Sequence, residues 1–254
     1  MTAAVQTQRR RPAVSFGPIQ QLRAHEYVAE QIRRHIALRL VAPGESLPSE
    51  RELAAMFGVG RPTIQHALRL LEADHLVEAR RGRRGGTFVT RPSEGSPVME
   101  ELIARLLRRR EELEELLVYR RAVEPAIARL AARMRTEADL EAMRDTIAKM
   151  VEALTEPDYM RLDTEFHLAV ARATRNRHLT HAIEEIRTQL NDALSLLPES
   201  ETWHRRISGE HEAIFDAIEA GDPDAAGAAA ELHVASSDRG VRAVLAAIGR
   251  RRVR

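Results

Sequence analysis

The stretch LPSERELAAMFGVGRPTIQHALRLLEADHLVEARRGRRGGTFV, residues 47–89, is the most tightly punctuated part of the chain. Ser49 with Glu52 three residues on is a capping-box signature, so a helix begins there. It is short, because Gly58 and Gly60 in GVGR supply a tight turn just after Phe57. Pro62 suits the first position of the next helix, where a missing N–H costs nothing. That helix runs through TIQHALRLLEAD; LVEAR then alternates like a strand, RGRRGG turns, and TFVT returns. Upstream, Leu22, Tyr27, Val28, Ile32, Ile36 and Leu40 recur at helical spacing between residues 21 and 40. Pro43 and Gly44 stop that helix. Helix, helix, tight turn, helix, hairpin is the element order of a winged helix-turn-helix, which lays the second helix of its tight pair in the major groove of DNA. Arg80, Arg81, Arg83 and Arg84 crowd the hairpin tip beside glycines, which let a backbone approach a duplex closely.

Charge points the same way. The formal net charge is +1 over 254 residues. Residues 1–91, however, hold fifteen basic side chains against eight acids, whereas residues 92–254 hold twenty-four against thirty. A basic first part joined to an acidic second part suits a polyanion partner for the first. The chain has no cysteine, which excludes disulfides, thiolate metal sites and cysteine nucleophiles and fits a reducing cytoplasm. No apolar run approaches the ~18 residues of a membrane span. The arginine-bearing N-terminus lacks the apolar segment of a secretory signal, so residues 1–20 read as a flexible basic tail.

Beyond a linker at 92–98 (PSEGSPV) no strand pattern appears. Periodic apolar stretches near 99–110, 111–134, 137–154, 157–173, 177–197, 200–220 and 223–248 predict about seven helices in an antiparallel bundle. The expected fold is therefore mainly α: a winged domain at 21–91 and an all-helical domain at 99–250. Within the bundle, DTEFHLAV places Asp163 and His167 four residues apart, on one face of a helix. That spacing suits a metal ion and equally a hydrogen-bonded surface pair. His211 and His233 fall on two other predicted helices, each with apolar neighbours.

The segment 47–89 closely resembles the DNA-binding domain of the GntR family of bacterial transcription regulators. Downstream, YRRAVEPAIARLAA, DTEFHLAVARATRN and EHEAIFDAIEAGDPDAAGAAAELHV resemble the helical effector-binding (FCD) domain of its FadR-type subfamily. The resemblance implies a divalent metal held by Asp163, His167, His211 and His233, and a small carboxylate effector bound beside it. Three imidazoles and a carboxylate suit zinc, nickel or manganese better than calcium. Arg120 matches an arginine that grips an effector carboxylate; an intrahelical pair with Glu124 is the other reading. Asn176 is read as a helix cap, and His178, His181 and His204 as surface residues.

On the DNA side Arg51, Arg61 and the wing-tip Gly82 match family positions; Thr63 is expected to contact phosphate, Arg81 to add charge at the wing, and Gln65 to face a base. Here TIQHA departs from the family's T-x-R-E-A. Glutamine suits adenine where arginine would read guanine, so a different operator is expected. The expected function is a homodimeric, ligand-responsive transcription regulator, a repressor, on palindromic operator DNA in the cytoplasm, with no membrane partner. The same metal residues also allow a small-molecule metalloenzyme or a regulator sensing the metal itself. No general-base or nucleophile motif accompanies them, and the winged domain has no role in an enzyme.

Overall fold

The structure, a computed structural model, describes residues 23–252 apart from 83, 84, 94, 154, 155 and 198–200. The basic tail and the wing arginines 83 and 84 lie outside the described residues. The order is α1 (Ala24–Ala37), α2 (Glu50–Phe57), α3 (Arg61–Ala73), β1 (Val77–Arg80), β2 (Gly86–Val89), and then seven helices, α4 (Pro97–Arg108), α5 (Arg110–Met134), α6 (Glu137–Glu152), α7 (Glu156–Ala173), α8 (Arg177–Leu194), α9 (Glu201–Ala220) and α10 (Pro223–Arg252).

The first half forms as its punctuation dictates. The Ser49 hydroxyl accepts the Glu52 amide, and the Glu52 carboxylate accepts the Ser49 amide in return, closing the box at the start of α2. Gly58 ends α2 in the left-handed region, at φ 65°, where a side chain would be strained. Gly60 does not need such freedom: its φ is −72°. Pro62 takes the second helical position of α3, not the first, because Arg61 already lies in the helix; the second amide is equally without an intrahelical partner. In the wing, Gly82 adopts φ 114°, and a Cβ on Gly85 would lie 2.5 Å from the Arg80 carbonyl. Both turn positions therefore demand glycine. The strands pair antiparallel, Val77 opposite Val89 and Arg80 opposite Gly86. Ile64, Leu68 and Leu71 of α3 close over Val28, Ile32, Ile36, Val77 and Val89 as one small core.

A second, larger core fills the bundle. α5 and α10 lie along each other, and α7 passes inside, with Phe166 and Ala171 completely buried. The linker is shorter than its composition suggests: Ser96 caps α4 through the Met99 amide, and Pro97 is already helical. Asn176 caps α8, its side-chain oxygen accepting the amides of His178 and Leu179. No described helix is long and apolar enough to cross a membrane.

Candidate metal centre

Asp163 and His167 point inward from α7, because they continue the stripe that buries Tyr159, Phe166 and Val170. His211 lies one turn before Phe215 on α9, and His233 is flanked by Ala230 and Val234 on α10. All four are buried, and one ligand atom from each lies within 4.8 Å of the others. Donors about 2.1 Å from one ion stand at most about 4.2 Å apart, so small side-chain adjustments would close the set.

The ring nitrogens fit an ion. His167 Nδ1 lies 3.4 Å from a Glu124 oxygen, and His233 Nδ1 lies 3.1 Å from Glu210 Oε2. Those contacts leave the two Nε2 atoms available to ligate, the carboxylate–imidazole arrangement typical of metal-bound histidines. His167 Nε2 and His211 Nδ1 are buried without a hydrogen-bond partner, and His211 Nε2 lies 3.2 Å from Asp163 Oδ1, poorly aligned for a hydrogen bond. A buried donor or acceptor left unpaired is costly, and an ion would satisfy it. Burial, with Arg187 and the other histidines adding to it, holds the His167 imidazole well below its usual range. Burial and His211 lower His233 as well. Neutral imidazole is the form that ligates. Burial pushes the Asp163 carboxyl up, but the Arg187 guanidinium and the adjacent imidazoles outweigh it, so Asp163 is held well below the usual carboxylate range.

Arg120 makes the intrahelical pair with Glu124. Its Nε donates to Glu124 Oε1 at 2.6 Å within α5, and its Nη1 donates to the Ser237 hydroxyl at 2.6 Å. It also lines a cavity of about 20 Å³ beside the cluster, together with Met160, Asp163, Arg187, Trp203 and His233. Arg187 was not anticipated from the sequence. It is fully buried, and its Nη2 donates to Asp163 Oδ2. Its signal was a guanidinium inside the apolar stripe Ile183, Ile186, Leu190 and Leu194. His178 and His181 are exposed as expected. His204 is not: it is half-buried, its ring stacked 4.5 Å from that of Tyr159, because α9 turns it inward.

The expected DNA-contacting residues lie at or near the surface. Arg51, Arg61, Gln65, Arg81 and Gly82 are exposed and Thr63 is half-buried. Glu50 accepts from Arg61 Nη2 at 3.1 Å and from Gln65 Nε2 at 2.9 Å, so a carboxylate holds two of them in place.

Comparison with known proteins agrees with this architecture. Residues 24–89 match the family described as bacterial regulatory proteins, gntR family, and residues 115–236 match the FCD domain. The chain is 35% identical to the HTH-type transcriptional regulator LutR of Bacillus subtilis, over 76% of this chain and 89% of LutR. It is 32% identical to the HTH-type transcriptional repressor NanR of Cronobacter sakazakii, over 86% of this chain and 85% of NanR. The solved structure of E. coli McbR/YncC shares the fold, with TM-score 0.54 at 15% identity over 87% of this chain and 98% of that one. These relatives are transcription regulators, not enzymes. With a DNA-binding half and a buried acid–histidine cluster in an FCD half, this chain belongs to the GntR family of transcription regulators, in its FadR-type branch.

Proposed function

We propose that this regulator is a homodimeric repressor, working in the cytoplasm, in which residues 99–250 bind a divalent ion and a small organic acid that together set operator binding by residues 21–91. The observation that carries this reading is the buried cluster of Asp163, His167, His211 and His233 with two buried guanidiniums beside it. Zinc suits the donor set best, with nickel and manganese also compatible. When bound, the ion would supply positive charge and an open position for an anionic ligand. Arg120 would grip the carboxylate of such a ligand.

Size supports a response as well as binding. A cavity of about 20 Å³ has room for roughly one water molecule. An organic acid therefore enters only as the lining helices α8 and α9 move apart, and a ligand shifts a two-state equilibrium only by such differential binding. The same tight cavity favours a second reading, in which the ion alone is the signal. A thermal-shift screen of small carboxylic acids on zinc-loaded protein, followed by operator titration at fixed salt, tests both. The expected result is an acid that raises the melting midpoint and weakens operator binding. If zinc alone shifts operator affinity and no acid adds to it, the metal-sensing reading replaces the effector reading. If neither changes operator affinity, the proposal fails.

At the operator, the reading places two copies of α3 in successive major grooves about one helical turn apart. Arg51, Arg61, Thr63, Arg81 and the Gly82 backbone face phosphates, and Gln65 faces a base edge. Exposed apolar side chains on the bundle, Val118 and Tyr119 on α5 and Leu232 on α10, support pairing with a second copy. Gln65→Arg is expected to move preference toward guanine at one position per half-site, by roughly 1–3 kcal/mol for a bidentate contact. Selection from random DNA checks this; identical site logos for wild type and variant would remove Gln65 from base reading.

A further inference from the structure

An unbroken set of hydrogen bonds joins the acid–histidine cluster to the DNA-binding half. Arg187 Nη2 donates to Asp163 Oδ2 and also, at 3.2 Å, to the Thr164 hydroxyl. The same hydroxyl accepts Asn191 Nδ2 at 3.1 Å and gives its own proton to the Met160 carbonyl at 3.0 Å. Asn191 Nδ2 has a second hydrogen, and it goes to the carbonyl of Ala37, the last residue of α1, at 2.9 Å. Thr164, Arg187 and Asn191 are each fully buried. We propose that α8 carries the state of the metal pocket to the DNA-binding domain, and that Asn191 is the positioning residue through which it does so; this rests on the reading that the cluster holds an ion.

Three features of the molecule support the inference. Arg187 and Leu194 of α8 line the cavity beside the cluster, and Asn191 lies between them on the same face. Any widening of the cavity by α8 therefore moves Asn191. The neighbouring link between α1 and α8, Arg34 to Glu184, is partly open to solvent at both ends, and Arg39, just beyond α1, reaches a partly open carboxylate on Asp192. A pair that solvent reaches is weak and adjusts easily. Asn191, by contrast, is shielded and directional, so it transmits a displacement rather than absorbing it.

The junction also has slack. Asn191 Oδ1 and Arg39 Nε are both buried there without a hydrogen-bond partner, which a fully settled interface would avoid. Beside it, an open cleft of about 820 Å³ separates the two halves, lined by Arg33, Asp74, Arg109 and Gln189 among others. The halves thus have room to change their docking. Asp163 couples the cluster to this device because its two oxygens face different partners. Oδ1 faces His211 and His167 at 3.2 and 3.8 Å, and Oδ2 takes Arg187. Drawing Oδ1 into a ligand set lowers the charge on Oδ2, so Arg187 shifts its shared Nη2 toward Thr164.

Amide hydrogen exchange on the full chain, with chelator and then with added Zn²⁺, tests the relay. Zinc is expected to change exchange at amides 34–40, the last turn of α1 and the residues just after it, by about fivefold or more, the low end of usual allosteric couplings. Asn191→Leu should bind zinc within about tenfold of wild type, since losing even a direct partner of a ligand costs about 10–100-fold, yet should lose the response at 34–40. Arg34→Ala should keep it. Thr164→Val should alter exchange at 34–40 without any ion. The relay is overturned if wild type binds zinc with no change there, if Asn191→Leu keeps the change, or if Arg34→Ala loses it as fully. Wild type that takes up no zinc defeats the metal reading instead. Thr164→Val then decides the relay by itself, and unchanged exchange at 34–40 rejects it.

Discussion

Replacing His167 by alanine is expected to weaken divalent-ion binding by more than about 100-fold. Losing only a residue that hydrogen-bonds a ligand already costs about 10–100-fold, and His167 would itself be a donor. Stability should follow. An ion that binds only the folded chain stabilises it by mass action, about 2.7 kcal/mol at a free concentration 100 times Kd, and the variant forfeits that gain. Without metal the substitution should matter less, because His167 is held neutral and its Nε2 has no hydrogen-bond partner to lose. Operator binding in the absence of effector should survive, since the winged half has its own core. Elemental analysis after incubation with excess zinc, nickel and manganese is the check. Wild type that stays metal-free, or a variant that keeps a full equivalent, would sink the site.

Arg187→Met is expected to destabilise the metal-free protein by about 3–5 kcal/mol. Removing one partner of a buried ion pair leaves the other as an uncompensated buried charge. Here the survivor is Asp163, a buried carboxylate for which Arg187 is the chief stabilising charge. The zinc-loaded variant should lose much less, because an ion at the cluster compensates Asp163 in place of the guanidinium. Denaturant titrations with chelator and with zinc measure both numbers. Equal losses in the two conditions would mean that Arg187 does not act through Asp163. A loss below about 1 kcal/mol in both would mean that the pair is no more than a surface-like contact.

His167 and Arg187 differ in how much of their setting is local in the sequence. His167 and Asp163 were visible four residues apart in one helix, and local periodicity alone put them on one face. His211 and His233 lie 44 and 66 residues beyond His167. No spacing rule reaches that far, and within the sequence only the family resemblance joins them to the pair. Arg187, Glu124 and Glu210 were less visible still. Each reads as an ordinary charged residue on a long amphipathic helix. His204 was misjudged for the same reason: whether a histidine faces water depends on how α9 is rotated against α7, and short-range pattern carries no information about that rotation.

By itself the sequence determined the elements. Capping boxes, left-handed glycines and prolines at helix starts act over a few residues, so they specify where α2, α3 and the wing begin and end wherever the chain is placed. They also determined that a basic reading head precedes an acidic bundle. The tertiary structure decided everything that depends on two helices meeting. It drew Asp163, His167, His211 and His233 within 4.8 Å of one another, set two guanidiniums beside them, and ran Asn191 from the pocket to Ala37. The physical reason is burial. An apolar stripe decides that a helix face turns inward, but which polar groups then share a water-free space, and must pair there, is settled only when the helices pack.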